Sequence, residues 1–264
     1  MSDPAKIPDA VSPGRPEAVK PYGAGDTKGK QVEAMFDNIA PAYDFMNTAM
    51  TFGLHRRWLR KALEALRRQT ADTNGNLRLL DLATGTGEVA FSLARLFPGS
   101  EILGIDLSEG MLRIACEKLS RLSPEEGRGR IAFRQGDCLA LECEGDTFDA
   151  LTIAYGVRNF EDLAKGFREF HRVLKPGGVC MILELSRPEN RAVRPGYDLY
   201  SRTLIPLIGR MVSRDRRAYS YLPESIAAMP ARRRVAEMLR EAGFSSAWFK
   251  SLTLGVVTYY IARK

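Results

Sequence analysis

From Leu77 to Phe97 the chain reads LRLLDLATGTGEVAFSLARLF. Gly85, Gly87 and Ala90 fall in the G-x-G-x-x-G/A pattern, with Thr86 between the two glycines, and this pattern cradles a nucleotide-containing ligand where a strand turns into a helix. Asp106 lies about 20 residues downstream, where an acidic side chain accepts hydrogen bonds from ribose hydroxyls. The rival reading of Asp106 is a helix cap, although Ser108 could supply that cap.

The acids beside the glycines decide which nucleotide ligand suits the loop. A pyrophosphate wants backbone N–H groups at a helix N-terminus without a carboxylate nearby. Here Asp81 precedes the glycines and Glu88 opens the helix. Two carboxylates repel a dianion, but they suit an ammonium next to a sulfonium cation. The loop therefore points to S-adenosylmethionine rather than NAD. For Glu88 alone, complementing the helix dipole is an equal alternative; Asp81, inside an apolar strand, needs a partner. After the third apolar run, RQGDCLAL places Asp137 and Cys138 where a carboxylate can receive an adenine amino group and a thiol can pack on the ring.

These residues need elements to hold them. Short apolar runs alternate with helical segments from Leu77 on, which predicts βαβ units and a parallel sheet. The expected strands are RLLDLA, EILGIDL, IAFRQGD, FDALTIAY and GVCMILEL, with helices at 87–97, 109–122 and 160–174. SAWFKSLTL and VVTYYIARK, separated by Gly255, read as a hairpin. Upstream, a basic amphipathic helix from about His55 to Arg68 carries the stripe Trp58, Leu59, Ala62, Leu63 and Leu66. Residues 1–30, rich in Pro, Gly, Lys and Asp, read as a flexible lead-in to one domain over 31–264.

The chain has 264 residues, 45% hydrophobic and 27% charged, enough for a full core. No window approaches the roughly 20 apolar residues of a membrane span. The four cysteines have no C-x-x-C spacing, so no metal site is expected and the thiols read as reduced in a cytoplasmic protein. The net charge is +7, and residues 187–240 contain twelve arginines, no lysine and five acids, so this segment alone accounts for the excess. It reads either as a solvated cap or as a face resting on anionic lipid, with YDLYSRTLIPLIGRMV as its apolar part. Nucleic acid is not expected, because no RNA- or DNA-binding module accompanies the arginines.

The stretches YDFMNTAMTFGLHRRW (Tyr43 to Trp58) and RVLKPGGVCMILELS (Arg172 to Ser186) resemble the signatures of the ubiquinone/menaquinone biosynthesis C-methyltransferases, a family of class I S-adenosylmethionine-dependent enzymes. AYGVRNF and YLPESIAAMP add to the likeness, with Thr51 where a serine is commoner. The resemblance covers about residues 30–264. It implies an α/β, Rossmann-like, seven-stranded mostly parallel sheet whose last strand is antiparallel, with helices on both faces and an N-terminal helical extension. It also implies cofactor contacts at Thr86, Asp106, Asp137 and Cys138. Where some relatives carry a polar residue after the fourth strand, this chain has Ala154.

The implied reaction places a methyl group on a ring carbon of a prenylated quinol: demethylmenaquinol, or alternatively the ubiquinone precursor 2-polyprenyl-6-methoxy-1,4-benzoquinol. An NAD-dependent oxidoreductase and a non-catalytic S-adenosylmethionine-binding protein are the readings from other classes. Ring carbon becomes nucleophilic when a hydroxyl with pKa near ~10 loses its proton. Arg158, just after the fourth strand, is a candidate for phenolate stabilisation, and His55 for proton handling. Tyr43, Met46, Tyr155 and Asn159 are candidates for the quinol pocket. A prenylated substrate implies at most a peripheral position at the inner face of a membrane, and a homodimer stays open.

Overall fold

The computed structural model describes residues 16–70, 76–201, 203 and 216–264. Seven strands form one sheet: β1 (Arg78–Leu82), β2 (Glu101–Asp106), β3 (Ile131–Gln135), β4 (Phe148–Ala154), β5 (Leu174–Leu185), β6 (Ser246–Leu252) and β7 (Val257–Arg263), in the order β3-β2-β1-β4-β5-β7-β6. The strands from β3 to β5 pair in parallel, and β7 inserts antiparallel between β5 and β6. This is the expected sheet, with its last strand reversed. The strand β5 starts earlier than its apolar run suggests, because Leu174 pairs with Phe148 across a register shift.

Helices cover both faces. The N-terminal extension is α1 (Lys28–Ile39), α2 (Tyr43–Thr51) and α3 (Leu54–Gln69); α4 (Glu88–Leu96), α5 (Glu109–Ser120) and α6 (Leu163–Val173) make the crossovers. Residues 194–201 are helical, and α7 (Arg216–Ala228) and α8 (Arg232–Glu241) lead into the terminal hairpin. The whole predicted stripe of α3, from Trp58 to Leu66, is buried. Alternation along β1 sends Leu79 to one core and Leu80 and Leu82 to the other, as a sheet covered on both sides requires. Ser108 caps α5 by accepting from Met111 N (3.1 Å).

The lead-in is shorter than the composition suggests. Pro16, Val19 and Pro21 are buried, and Lys28 is only 2% exposed. Its ammonium donates to Pro16 O (2.6 Å), Arg158 O (3.1 Å) and Phe160 O (3.1 Å), which docks this segment onto the turn after β4. Residues 1–15, and 204–212 of the apolar arginine-flanked stretch, lie outside the described residues.

The strand order reverses between β1 and β4, and this switch point is where open parallel sheets bind ligands. Both strands end there in a left-handed residue, Ala83 (φ 47°) and Tyr155 (φ 58°). These residues turn the chain sharply out of the sheet. Gly156 follows Tyr155, and a Cβ there would stand 2.7 Å from the Ala83 side chain, so the two turns can nest only around a glycine.

Candidate active site

Two adjoining cavities open at the switch point. One, about 820 Å³, is lined by Gly85, Asp106, Asp137, Cys138 and Ala154 among others. The other, about 1000 Å³, is mostly apolar and is lined by Met46, Met50, His55, Arg158, Tyr200 and Tyr221 among others. Phe36, Tyr43 and Tyr155 belong to both walls.

The first cavity is polar where β1, β2 and β3 end. Asp106 accepts from Gly85 N (2.7 Å) through one oxygen and from Ser108 N (2.9 Å) through the other. A carboxylate has about four acceptor sites, so two remain for a ribose diol. Burial pushes the Asp106 pKa up to about 6, against hydrogen bonds from Ser108 and Gly85. Asp137 accepts from Leu139 N (2.8 Å), and Cys138 is buried, with burial holding its thiol protonated. Gly85 is left-handed (φ 56°), and a Cβ there would project to 4.0 Å from Tyr43, into the space between loop and helix. An adenosine with an amino acid tail fits this donor and acceptor set.

Of the remaining loop residues, Thr86 and Glu88 line a smaller hollow beside Gly85, together with Tyr43, His55 and Tyr155. Asp81 is fully buried behind the loop, accepting from Thr84 Oγ1 (2.6 Å) and Thr152 Oγ1 (2.7 Å), and it lines neither cavity. Burial raises its pKa to about 7. The partner that a strand acid needs is thus a pair of threonines. Thr86 donates to Asp44 Oδ1 (2.6 Å), and Asp44 is held by Lys118 (2.5 Å). Glu88 stands 3.7 Å from His55.

The second cavity has its polar atoms at one end. Arg158 pairs with buried Glu184 (2.9 Å) and also donates to Tyr155 O. Burial opposes the guanidinium charge and Glu184 outweighs that cost, so Arg158 stays charged. Among the described residues, the buried side-chain polar atoms without a hydrogen-bond partner are Arg158 Nε and Tyr155 Oη. Both residues line the second cavity. A buried orphan donor is costly, so the pair asks for a ligand oxygen. Asn159, expected in the quinol pocket, lines the first cavity instead and accepts from Tyr221 Oη (3.1 Å). Burial raises the Tyr43 and Tyr155 pKa values, which makes both phenols donors rather than bases.

Sequence reasoning did not find Glu184, Lys28, Tyr200 or Tyr221. Glu184 was legible by the argument used for Asp81, since it is an acid within the apolar run GVCMILEL. Lys28 gave no local signal: a lysine starting a polar helix reads as solvated.

Residues 24–264 match the ubiE/COQ5 methyltransferase family. The chain belongs to that family. A "Demethylmenaquinone methyltransferase" of Bacteroides fragilis is 40% identical over 94% of this chain and 98% of its own length. Its Porphyromonas gingivalis namesake is 42% identical, covering 94% and 99%. A "Ubiquinone/menaquinone biosynthesis C-methyltransferase UbiE" of Syntrophotalea carbinolica is 43% identical, covering 88% and 93%. Among solved structures, a Haemonchus contortus phosphoethanolamine N-methyltransferase bound to S-adenosylhomocysteine aligns with TM-score 0.58 at 17% identity, over 78% of this chain and 52% of that one. The [4+2]-cyclase SpnF aligns with TM-score 0.64 at 18% identity, over 89% and 96%. A cyclase and a methyltransferase thus share this fold, so the fold alone does not select the reaction. Membership of the family does, and the dinucleotide reading of the glycine loop falls with it.

Proposed function

We propose that this methyltransferase places a methyl group on a ring carbon of demethylmenaquinol, giving menaquinol. The observation that carries the reading is the pair of orphan atoms, Arg158 Nε and Tyr155 Oη, in the wall of an apolar cavity that adjoins the nucleotide-shaped one. S-adenosylmethionine supplies an electrophilic methyl group on a sulfonium. Asp106 receives its ribose, and Asp137 and Cys138 meet its adenine. Asp81 holds Thr84 at the base of the loop, and Thr86 ties the loop to α2 through Asp44. Arg158 and Tyr155 donate to a quinol oxygen and stabilise its phenolate, which raises electron density on the ring carbon. Tyr43 and Met46 flank the ring, and Asn159, fixed by Tyr221, orients the turn that carries Arg158.

The relatives named for demethylmenaquinone favour that substrate, while the Syntrophotalea relative carries both names. A mass-shift assay offering a short-chain demethylmenaquinol and 2-polyprenyl-6-methoxy-1,4-benzoquinol side by side tests the choice. Methylation of the benzoquinol alone would overturn it.

The prenyl chain sets the position of the enzyme. Among the described residues no helix is long and apolar enough to cross a membrane. Phe52, Leu199 and Leu254 are 75%, 66% and 74% exposed, and each lies within two residues of a wall residue of the quinol cavity: Thr51, Tyr200 and Val256. Exposed Arg56 and Arg57 follow Phe52 closely. These tips and cations suit peripheral docking on an anionic bilayer. Within 187–240, Arg187, Arg217, Arg232 and Arg234 suit it less, since they are paired with acids.

A further inference from the structure

Methylation of a quinol ring carbon exchanges C–H for C–CH3. The S–CH3 bond breaks with its electron pair left on sulfur, giving a neutral thioether, and one proton is released for each turnover. That proton appears inside a cavity walled by apolar side chains, and it must leave before the next cycle. Arg158 is charged and Tyr155 is a protonated phenol, so neither accepts it.

His55 is placed to do so. Its ring is buried in the wall of the quinol cavity. Hydrogen counting assigns its tautomer. Thr51 Oγ1 has one hydrogen, which it donates to Asn47 O at 2.6 Å. The 2.8 Å contact between Thr51 Oγ1 and His55 Nδ1 must then be donated by the ring, so Nδ1 carries the proton and Nε2 has a free lone pair. That Nε2 faces Glu88 Oε1 at 3.7 Å. The His55 side chain is 7% exposed and that of Glu88 39%, so the pair runs from the interior to water. Both also line an outer groove of about 730 Å³ with Asp44, Arg56, Arg95 and Lys118.

We propose that His55 Nε2 accepts the proton released in the quinol cavity and that Glu88 passes it to solvent. The inference rests on the quinol-methylating reading of this site. Charged groups around the imidazole are Glu88 on α4, Asp44 on α2 and Arg56 on α3. Burial lowers the His55 pKa, with Glu88 opposing, so the ring is neutral and ready to accept at neutral pH.

His55→Asn retains a donor in the Nδ1 position for Thr51 and removes the Nε2 base. We expect its kcat to fall about 10²-fold, with KM, cofactor affinity and melting temperature near those of the wild type. Glu88→Gln, at a half-exposed site, keeps the fold. It should lower kcat several-fold and shift the acid limb of the kcat profile to lower pH, because the charge that raises the His55 pKa is gone. The tautomer is read independently of turnover by 15N NMR of the imidazoles; the chain has only two histidines, so His171→Gln completes the assignment. Wild-type kcat in His55→Asn, an unmoved acid limb in Glu88→Gln, or a proton found on Nε2 would each overturn the relay. A wild-type enzyme that methylates no quinol would instead sink the substrate reading, with the tautomer measurement still judging the relay.

Discussion

Asp106 is half-buried and Arg158 buried, and each makes a prediction that follows from its partners. In the proposed binding mode Asp106→Ala removes the acceptor for the ribose, and the loss of hydrogen bonds to a charged group, about 1.5–3 kcal/mol, should weaken cofactor binding by at least 10-fold in calorimetry. Its raised pKa of about 6 gives the pH dependence a sign. Below that value the carboxyl is protonated and loses acceptor capacity, so affinity should fall as pH drops through 6, and the Asp106→Asn variant should show no such limb. In the free protein the linkage runs the other way. The folded pKa lies above the unfolded 3.8, so this group's contribution to stability is largest below 3.8 and declines as pH rises through about 6. For Arg158, deleting the cation leaves Glu184 buried and unpaired. Arg158→Met should cost about 3–5 kcal/mol in urea unfolding, and Arg158→Met/Glu184→Leu should recover most of it while turnover stays lost. Turnover that returns with stability would end the phenolate-stabilising role.

At the scale of elements, the active-site turn after β4 is held from outside the sheet. Lys28 at the start of α1 grips the carbonyls of Arg158 and Phe160, and Asp37 later in α1 accepts from Ser108 Oγ (2.6 Å) and Gly110 N (2.9 Å) at the head of α5. One helix therefore braces both cavities. Lys28→Met removes three hydrogen bonds to buried carbonyls, at about 1 kcal/mol each. Faster hydrogen exchange over 157–160 and earlier proteolysis near residue 20 should accompany a loss of about 3 kcal/mol. If exchange in the 157–160 turn is unaltered, α1 does not brace it.

For the whole molecule, the proposed membrane docking rests on exposed apolar tips next in sequence to wall residues of the second cavity. Placing Phe52 and Leu254 in a bilayer is worth about 1.5–3 kcal/mol each. Phe52→Ser/Leu254→Ser should therefore reduce co-sedimentation with anionic vesicles by about 10²-fold or more, and leave turnover of a soluble short-chain quinol unchanged. Equal sedimentation of the double variant would end the docking role of these tips.

The sequence by itself determined the sheet, the glycine loop, the buried stripe of α3 and the ends of β2 and β3, because these depend on local periodicity and on spacing within one βαβ unit. Asp106 and Asp137 at the strand ends were readable for the same reason. Asp81 was readable as an acid needing a partner, but only packing revealed that Thr84 and Thr152 take that role and turn the carboxylate away from the cavity. Tertiary structure alone decided the rest. Lys28 meets Arg158 across 130 residues of chain, Tyr200 donates to the Met50 carbonyl, and Trp58 meets Thr253 at 2.7 Å. Contacts between distant segments leave no periodic trace, since each partner obeys only its own local rule. The second cavity joins residues of 35–58 to residues between 155 and 256, and so its polar end and its orphan donors appear only when the chain is folded.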